Sequence, residues 1–207
     1  MRQHNAFIVG LTGQSGAGKT TVCDYFTSIG FGVINCDLLS REVVSDGSNC
    51  LNDLVSIFSE SILNEDQTLN RKELARIVFK DEGMLQILNE TIFPYILAKL
   101  NQKILELANQ NYKIIIIDAP TLFESGANSL CDTIISILAK QEIRIARIMS
   151  RDSLTKENAL LRINSQHSDE YFIQHSDYIV YNNGNTVDLI TKLNTIANQI
   201  KERCNGN

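Results

Sequence analysis

Gly13-Gln14-Ser15-Gly16-Ala17-Gly18-Lys19-Thr20 fills every defined position of the pattern GxxxxGK[ST]. Its glycines let the backbone curl so that successive N–H groups point at one anion. Phe7-Ile8-Val9-Gly10-Leu11, a short continuous apolar run, precedes it and reads as a buried strand. Lys19 to about Ile29 reads as a helix closed by Gly30. That helix adds its positive N-terminal end to the cradle. A loop in this setting holds the phosphates of a nucleotide. Its binding set is Gly13, Ser15, Gly16, Ala17, Gly18, Lys19, Thr20 and Thr21. Lys19 reaches the β- and γ-phosphates, and the Thr20 hydroxyl holds Mg²⁺. The cofactor expectation is therefore a magnesium nucleotide.

The rest of the chain constrains the fold. Phe31-Gly32-Val33-Ile34-Asn35-Cys36 reads as a second strand, parallel to the first through a right-handed crossover. From Asp37 to about Gln110 the apolar period is helical, through Leu54, Ile57 and Phe58, then Leu74, Ile77 and Val78, then Leu85 to Leu107, with Pro94 as a kink or boundary. Tyr112–Asp118, containing Ile114-Ile115-Ile116-Ile117, predicts a central strand, and Thr133–Ala139 another. Glu142–Gln166 reads as helices with spaced arginines, Tyr178–Tyr181 as a last strand, and Leu189 to Ile200 as the stripe of a closing amphipathic helix. Five strands alternating with helices predict a three-layer α/β fold around a five-stranded parallel sheet. The expected organisation is one domain over residues 1–207: a core at about 6–60 and 110–207, a helical acceptor-side insertion at about 61–110 and a small lid at about 147–172.

Composition excludes several classes. The net charge of −5 argues against nonspecific binding to nucleic acid or anionic membrane. The longest aliphatic run, Ile114–Ile117, is far short of a membrane span. Met1–Asn5 are polar and Ala6–Leu11 is too short for a signal-peptide core. The 5 cysteines, Cys23, Cys36, Cys50, Cys131 and Cys204, form no CxxC pair, so reduced thiols of a cytoplasmic protein are expected. No nucleic-acid or membrane partner is expected, and the chain reads as a monomer or weak homo-oligomer.

A phosphate loop alone does not say what happens to the nucleotide. Asp37 lies at the carboxyl end of the second predicted strand, where ligands of open parallel sheets bind. Its carboxylate can take or orient the proton of an acceptor hydroxyl during in-line phosphoryl transfer. It can equally cap the helix that begins at Leu38. Arg41 falls one turn later on the same helix face. Asp118 ends the third strand, as a Mg²⁺ contact through water or as a cap. Arg144, Arg147 and Arg151 recur at a spacing that usually marks a solvated helix face.

The ordered blocks resemble dephospho-CoA kinases from about Ile8 to Gly184. The opening is Gly10-Leu11-Thr12-Gly13 through Thr21-Val22, then Val33 to Asp37 with Arg41-Glu42-Val43-Val44. Leu69 to Leu74 with Val78-Phe79, Pro120-Thr121-Leu122-Phe123-Glu124, Arg151-Asp152 with Arg162 and Gln166, and Ser176-Asp177 with Asn182-Asn183-Gly184 follow in the family's order. The resemblance implies a P-loop kinase fold with a helical substrate-binding insertion and a small lid. It implies transfer of the γ-phosphate of ATP to the 3′-hydroxyl of dephospho-CoA. By the same resemblance Asp37 is the base and, with Lys19 and Arg151, a catalytic residue. Arg41, Pro120, Leu122, Glu124 and Arg162 contact the acceptor. Arg147, Arg151 and also Arg162 stand over the phosphates as lid or near-lid cations, and Asn182, Asn183 and Gly184 lie near the adenine.

The sequence departs from the family's usual pattern at Asn35, Phe93, Thr121 and Phe172, where Asp, His, Leu and a basic residue are common. Other readings of the loop are a nucleoside-type kinase, distinguished by its acceptor, a GTPase-type regulator or a non-catalytic binder. The chain lacks the Asn/Thr-Lys-x-Asp guanine motif. The intact Lys19, Thr20 and Asp37 argue against a binder without catalysis.

Overall fold

Strand β1 (Phe7–Gly13) is buried at every position and sits in the middle of the sheet. A computed structural model describes residues 4–206 of the chain. The remaining elements follow as α1 (Lys19–Ser28), β2 (Gly32–Asn35), α2 (Cys36–Glu42), α3 (Asn49–Phe58), α4 (Arg71–Val78), α5 (Glu82–Asn109), β3 (Ile114–Asp118), β4 (Thr133–Leu138), α6 (Gln141–Asp152), α7 (Lys156–Asn164), α8 (Asp169–His175), β5 (Tyr178–Tyr181) and α9 (Thr186–Asn205). The strands run in the order β2-β3-β1-β4-β5. Parallel pairing puts Leu11 beside Asp118, Gly13 beside Ile137 and Leu138 beside Tyr181. The sheet therefore grows outward from β1 in both directions, and the loop leaving β1 opens at the carboxyl edge where such sheets bind ligands.

Residues up to Ile34 together with Ile104 onward form one compact unit. In its core Val9, Leu11, Ile116, Ile135 and Ile137 pack with Val22 and Phe26 of α1 and with Leu189, Leu193, Ile196, Ala197 and Ile200 of α9. Phe26 is fully buried and its ring stacks on Phe31 at 5.4 Å. Truncating such a side chain to alanine costs about 3–5 kcal/mol. α1 ends as its sequence dictates. Gly30 takes φ 86°, its N–H donates to the Thr27 carbonyl, and the Phe31 N–H donates to the Phe26 carbonyl.

The second compact unit is Asn35–Lys103. Its own core comprises Val44, Cys50, Leu54, Phe58, Ile62, Leu74 and Val78, with Leu85, Leu88, Ile92 and Tyr95 packed against it. Side chains start its helices. The Ser48 hydroxyl accepts from Leu51 N at 3.1 Å and Asn70 Oδ1 from Glu73 N at 3.0 Å.

Three local expectations need correction. Strand β2 is shorter than Phe31–Cys36 and yields to helix at Cys36, so Asp37 lies in the first turn of α2 and not on the strand. Asp37 is not the cap either. Asn35 is, its Oδ1 accepting from Leu38 N at 3.0 Å. Pro94 is no boundary, since α5 runs through it. Pro94 and Glu90 are both exposed, so water can serve the carbonyl that loses its donor. Helix α8, in a stretch without a clear apolar period, adds an element that the sequence pattern did not indicate.

Candidate active site

The phosphate loop is held from behind by its own carbonyl oxygens. Arg144 Nε donates to the Ser15 carbonyl at 3.0 Å. Arg147 Nη1 donates to the carbonyls of Gly16 at 3.2 Å and Ala17 at 3.3 Å. Asn182 Nδ2 adds a 2.7 Å bond to the Ala17 carbonyl, and Arg147 Nη2 reaches the Asn182 carbonyl at 3.3 Å. Drawing these oxygens to one side turns the intervening peptides so that their N–H ends face the other, the concave arrangement that binds anions. Two glycines are required for it. Gly16 has φ 78°, and a Cβ there would lie 2.8 Å from the Arg144 carbonyl oxygen. Gly18 has φ 100°, and a Cβ would lie 2.4 Å from Asn182 Nδ2. Gly18 also starts α1 with no side-chain cap, leaving the helix's first turn directed at the loop.

Lys19 Nζ donates to the Gly13 carbonyl at 3.0 Å, so the ammonium is folded back along the loop. Thr20 and Thr21 are exposed at the start of α1. Asp118 ends β3 and is half-buried. The Cys23 thiol, one turn beyond Lys19, lies against it. Burial pushes the thiol pKa far up, the charge of Asp118 and a hydrogen bond to it push the same way, and the Lys19 ammonium opposes them. Lys19, Cys23 and Asp118 thus share one neighbourhood at the carboxyl edge of β1 and β3. The Thr20 hydroxyl and the Asp118 carboxylate are hard oxygen donors of the kind magnesium prefers.

The arginines divide. Arg144 is only 4% exposed, which corrects the expectation of a solvated face. Arg147 is half-buried against the loop. Arg151 grips Asp152 through Nε and Nη2, both at 2.8 Å, and Arg162 Nη1 reaches the same carboxylate at 2.7 Å. The hydrogen bond from Arg151 holds the Asp152 carboxyl below the usual range, with both guanidinium charges adding to it. The segment carries a small core of its own, Ile148, Ala159 and Ile163, with Ile145 and Leu154 beside it.

The segment after β3 is anchored at Leu122, which is fully buried beneath Gly10. The Pro120 carbonyl accepts from Thr12 Oγ1 at 3.4 Å, and Glu124 Oε1 pairs with His167 Nε2 at 3.1 Å. Phe172, at a position where the family usually has a basic residue, is buried with its ring 6.3 Å from Phe123. Asn183 Oδ1 accepts from Lys140 N at 2.7 Å, whereas its neighbour Asn182 contacts the loop.

In the second unit Asp37 and Arg41 are both exposed on α2. Arg71 is drawn into their account, because burial and then the charge of Arg41 depress its pKa. Sequence reading gave Arg71 no site role, set Arg144 on a solvated helix face and placed Asn182 with Asn183 and Gly184 near the adenine, whereas Arg144 and Asn182 both hold carbonyls of the phosphate loop.

The family model described as dephospho-CoA kinase matches residues 7–188. A dephospho-CoA kinase of Lactobacillus johnsonii is 34% identical over 194 residues, covering 94% of this chain and 98% of the relative. A solved structure from Thermus thermophilus superposes with a TM-score of 0.78 at 28% identity, over 94% of this chain and 97% of that one. The solved dephospho-CoA kinase of Campylobacter jejuni gives a TM-score of 0.70 at 27% identity, again over 94% and 97%.

Proposed function

We propose that this chain, which belongs to the dephospho-CoA kinase family, moves the γ-phosphoryl group of ATP to the 3′-hydroxyl of dephospho-CoA, giving CoA and ADP in the last step of coenzyme A synthesis. The observation that carries the reading is the phosphate loop, whose Ser15, Gly16 and Ala17 carbonyls are all turned to donors behind it. Such a loop binds the β- and γ-phosphates through its amides.

Phosphoryl transfer asks the protein for position and charge more than for covalent chemistry. Lys19 swings from the Gly13 carbonyl to the transferring phosphate. Arg151 and Arg162 exchange Asp152 for phosphate oxygens, and Arg147 stays with the loop. Asp37 accepts the proton of the acceptor hydroxyl, a contribution of about 10²–10⁴-fold in such reactions. Arg41, Pro120 and Glu124 orient the acceptor, and Leu122 holds their segment in place. Asn183 borders the base of the nucleotide. Thr20 and Asp118, the latter through water, would hold magnesium, which neutralises charge on the transferring phosphate when bound.

The remaining features fit a cytoplasmic enzyme acting on small molecules, as a monomer or weak homo-oligomer. No helix among the described residues is long and apolar enough to cross a membrane, and the 5 cysteines remain thiols. Incubating the purified chain with ATP, magnesium and dephospho-CoA and following CoA by mass spectrometry tests the reaction. A mass increase of one phosphate on dephospho-CoA is expected. ATP consumption without it, or transfer to a nucleoside instead, would overturn the acceptor assignment.

A further inference from the structure

Arg144 sits where a helix of this composition would normally show an arginine to water, yet it is buried. Its guanidinium does two things at one peptide. Nε donates to the Ser15 carbonyl at 3.0 Å, and Nη2 donates to Gln166 Oε1 at 3.1 Å. Gln166 Oε1 accepts in turn from the Ser15 N–H at 2.9 Å. Both polar ends of residue 15 are therefore tied into one closed ring of three residues. The preceding residue is held as well, with Gln14 Nε2 donating to Asp169 Oδ1 at 2.6 Å. Burial lowers the Arg144 pKa and the charge of Asp169 counters it, so the carboxylate that holds Gln14 also supports the cation. The backbone of α6 at Arg144 packs directly on Gly16, the next residue of the loop.

We infer that Arg144 is a positioning residue for nucleotide binding. With Gln166 as its relay, it fixes the Ser15 peptide and so the direction of the N–H groups that follow it in the loop. This rests on the phosphate-loop reading above. A shape imposed on the loop before nucleotide arrives serves bound ATP and the transition state alike. Its loss therefore weakens binding and leaves the saturated rate nearly unchanged. Lysine cannot substitute fully, because one ammonium cannot reproduce the planar fork that spans Ser15 and Gln166.

The test compares Arg144→Met, Arg144→Lys and Gln166→Ala with the unaltered chain, by direct binding of a fluorescent ATP analogue and by steady-state kinetics. The unaltered chain should bind the analogue. Arg144→Met should bind about tenfold more weakly, the scale of one charge-assisted hydrogen bond. The KM for ATP should rise in step, kcat and the KM for dephospho-CoA should stay within about twofold, and Arg144→Lys should recover part of the loss. Gln166→Ala should weaken binding in the natural background and add little on top of Arg144→Met, since the ring is already open. If Arg144→Met fails to fold, Arg144→Lys and Gln166→Ala carry the same test. Unchanged binding by these variants overturns the role of Arg144, as does multiplication of the two losses in the double variant. Failure of the unaltered chain to bind the analogue overturns the phosphate-loop reading beneath it.

Discussion

The Nδ2 amide of Asn182 donates a 2.7 Å hydrogen bond to the carbonyl oxygen of Ala17, and both residues are buried. The bond joins the residue after β5 to the back of the phosphate loop. Asn182→Ala would strip a buried carbonyl of its shortest partner, leaving Arg147 at 3.3 Å. A loss of about 1–3 kcal/mol is expected in urea denaturation. Asn182→Asp should be worse, because a carboxylate has no proton to donate and would meet the oxygen head-on. Equal or better stability of the aspartate variant would contradict the arrangement.

Lys19→Ala should leave the fold intact and lower kcat by about 10²–10³-fold, as removal of a charge-stabilising donor does elsewhere. The ammonium donates to the Gly13 carbonyl in the resting loop and is half-exposed, so it is not a core element. Circular dichroism beside kinetics checks both halves. Near-normal turnover with a normal melt would remove Lys19 from the reaction.

Asn35 and Asp37 separate by substitution. Asn35→Ala removes the oxygen that accepts from Leu38 N and should cost about 0.5–2 kcal/mol. Asn35→Asp keeps an acceptor and should fall within about 0.5 kcal/mol of the natural chain. Asp37→Asn should leave stability and ATP affinity nearly unchanged while turnover drops about 10²-fold or more. Parallel loss of ATP affinity and turnover would make Asp37 a structural or metal-holding residue.

Asp152 gives a pH prediction with a definite sign. Its folded pKa lies below the ordinary 3.8, so the stabilisation it contributes is complete above that value and disappears as pH falls through the lower folded one. Protection against hydrogen exchange in α6 and α7, measured relative to the intrinsic rate at each pH, should therefore fall in this acid window, and Asp152→Asn should abolish the dependence while lowering protection at neutral pH. A variant that retains the acid-induced loosening would assign it to another carboxylate.

The strands were legible because buried parallel strands are written as unbroken apolar runs, as in Ile114–Ile117. The loop was legible because glycine and lysine spacing leaves little else to build. Arg144 was not, since a period of three or four residues describes a helix face without saying what that face meets. The cap was assigned to Asp37 and not to Asn35 for a related reason. Asp37 has the same capping chemistry, and only the point at which β2 gives way to α2 decides between them. Pro94 carries a local penalty that the packing of Leu88, Ile92 and Tyr95 around it outweighs.

The central place of β1 has a consequence for the order of events during translation. β1 is made before β3 and β4, yet it pairs with both, and their residues 114–118 and 133–138 follow it by about a hundred positions or more. Residues 35–103 meanwhile carry a core of their own and are complete before either partner strand exists. A nascent chain halted near residue 110 therefore holds a finished helical unit behind an apolar strand with neither neighbour to pair with, the state in which aggregation competes with folding. Phe7-Ile8-Val9, with no charge among them, has no β3 to pair with until Ile114 emerges.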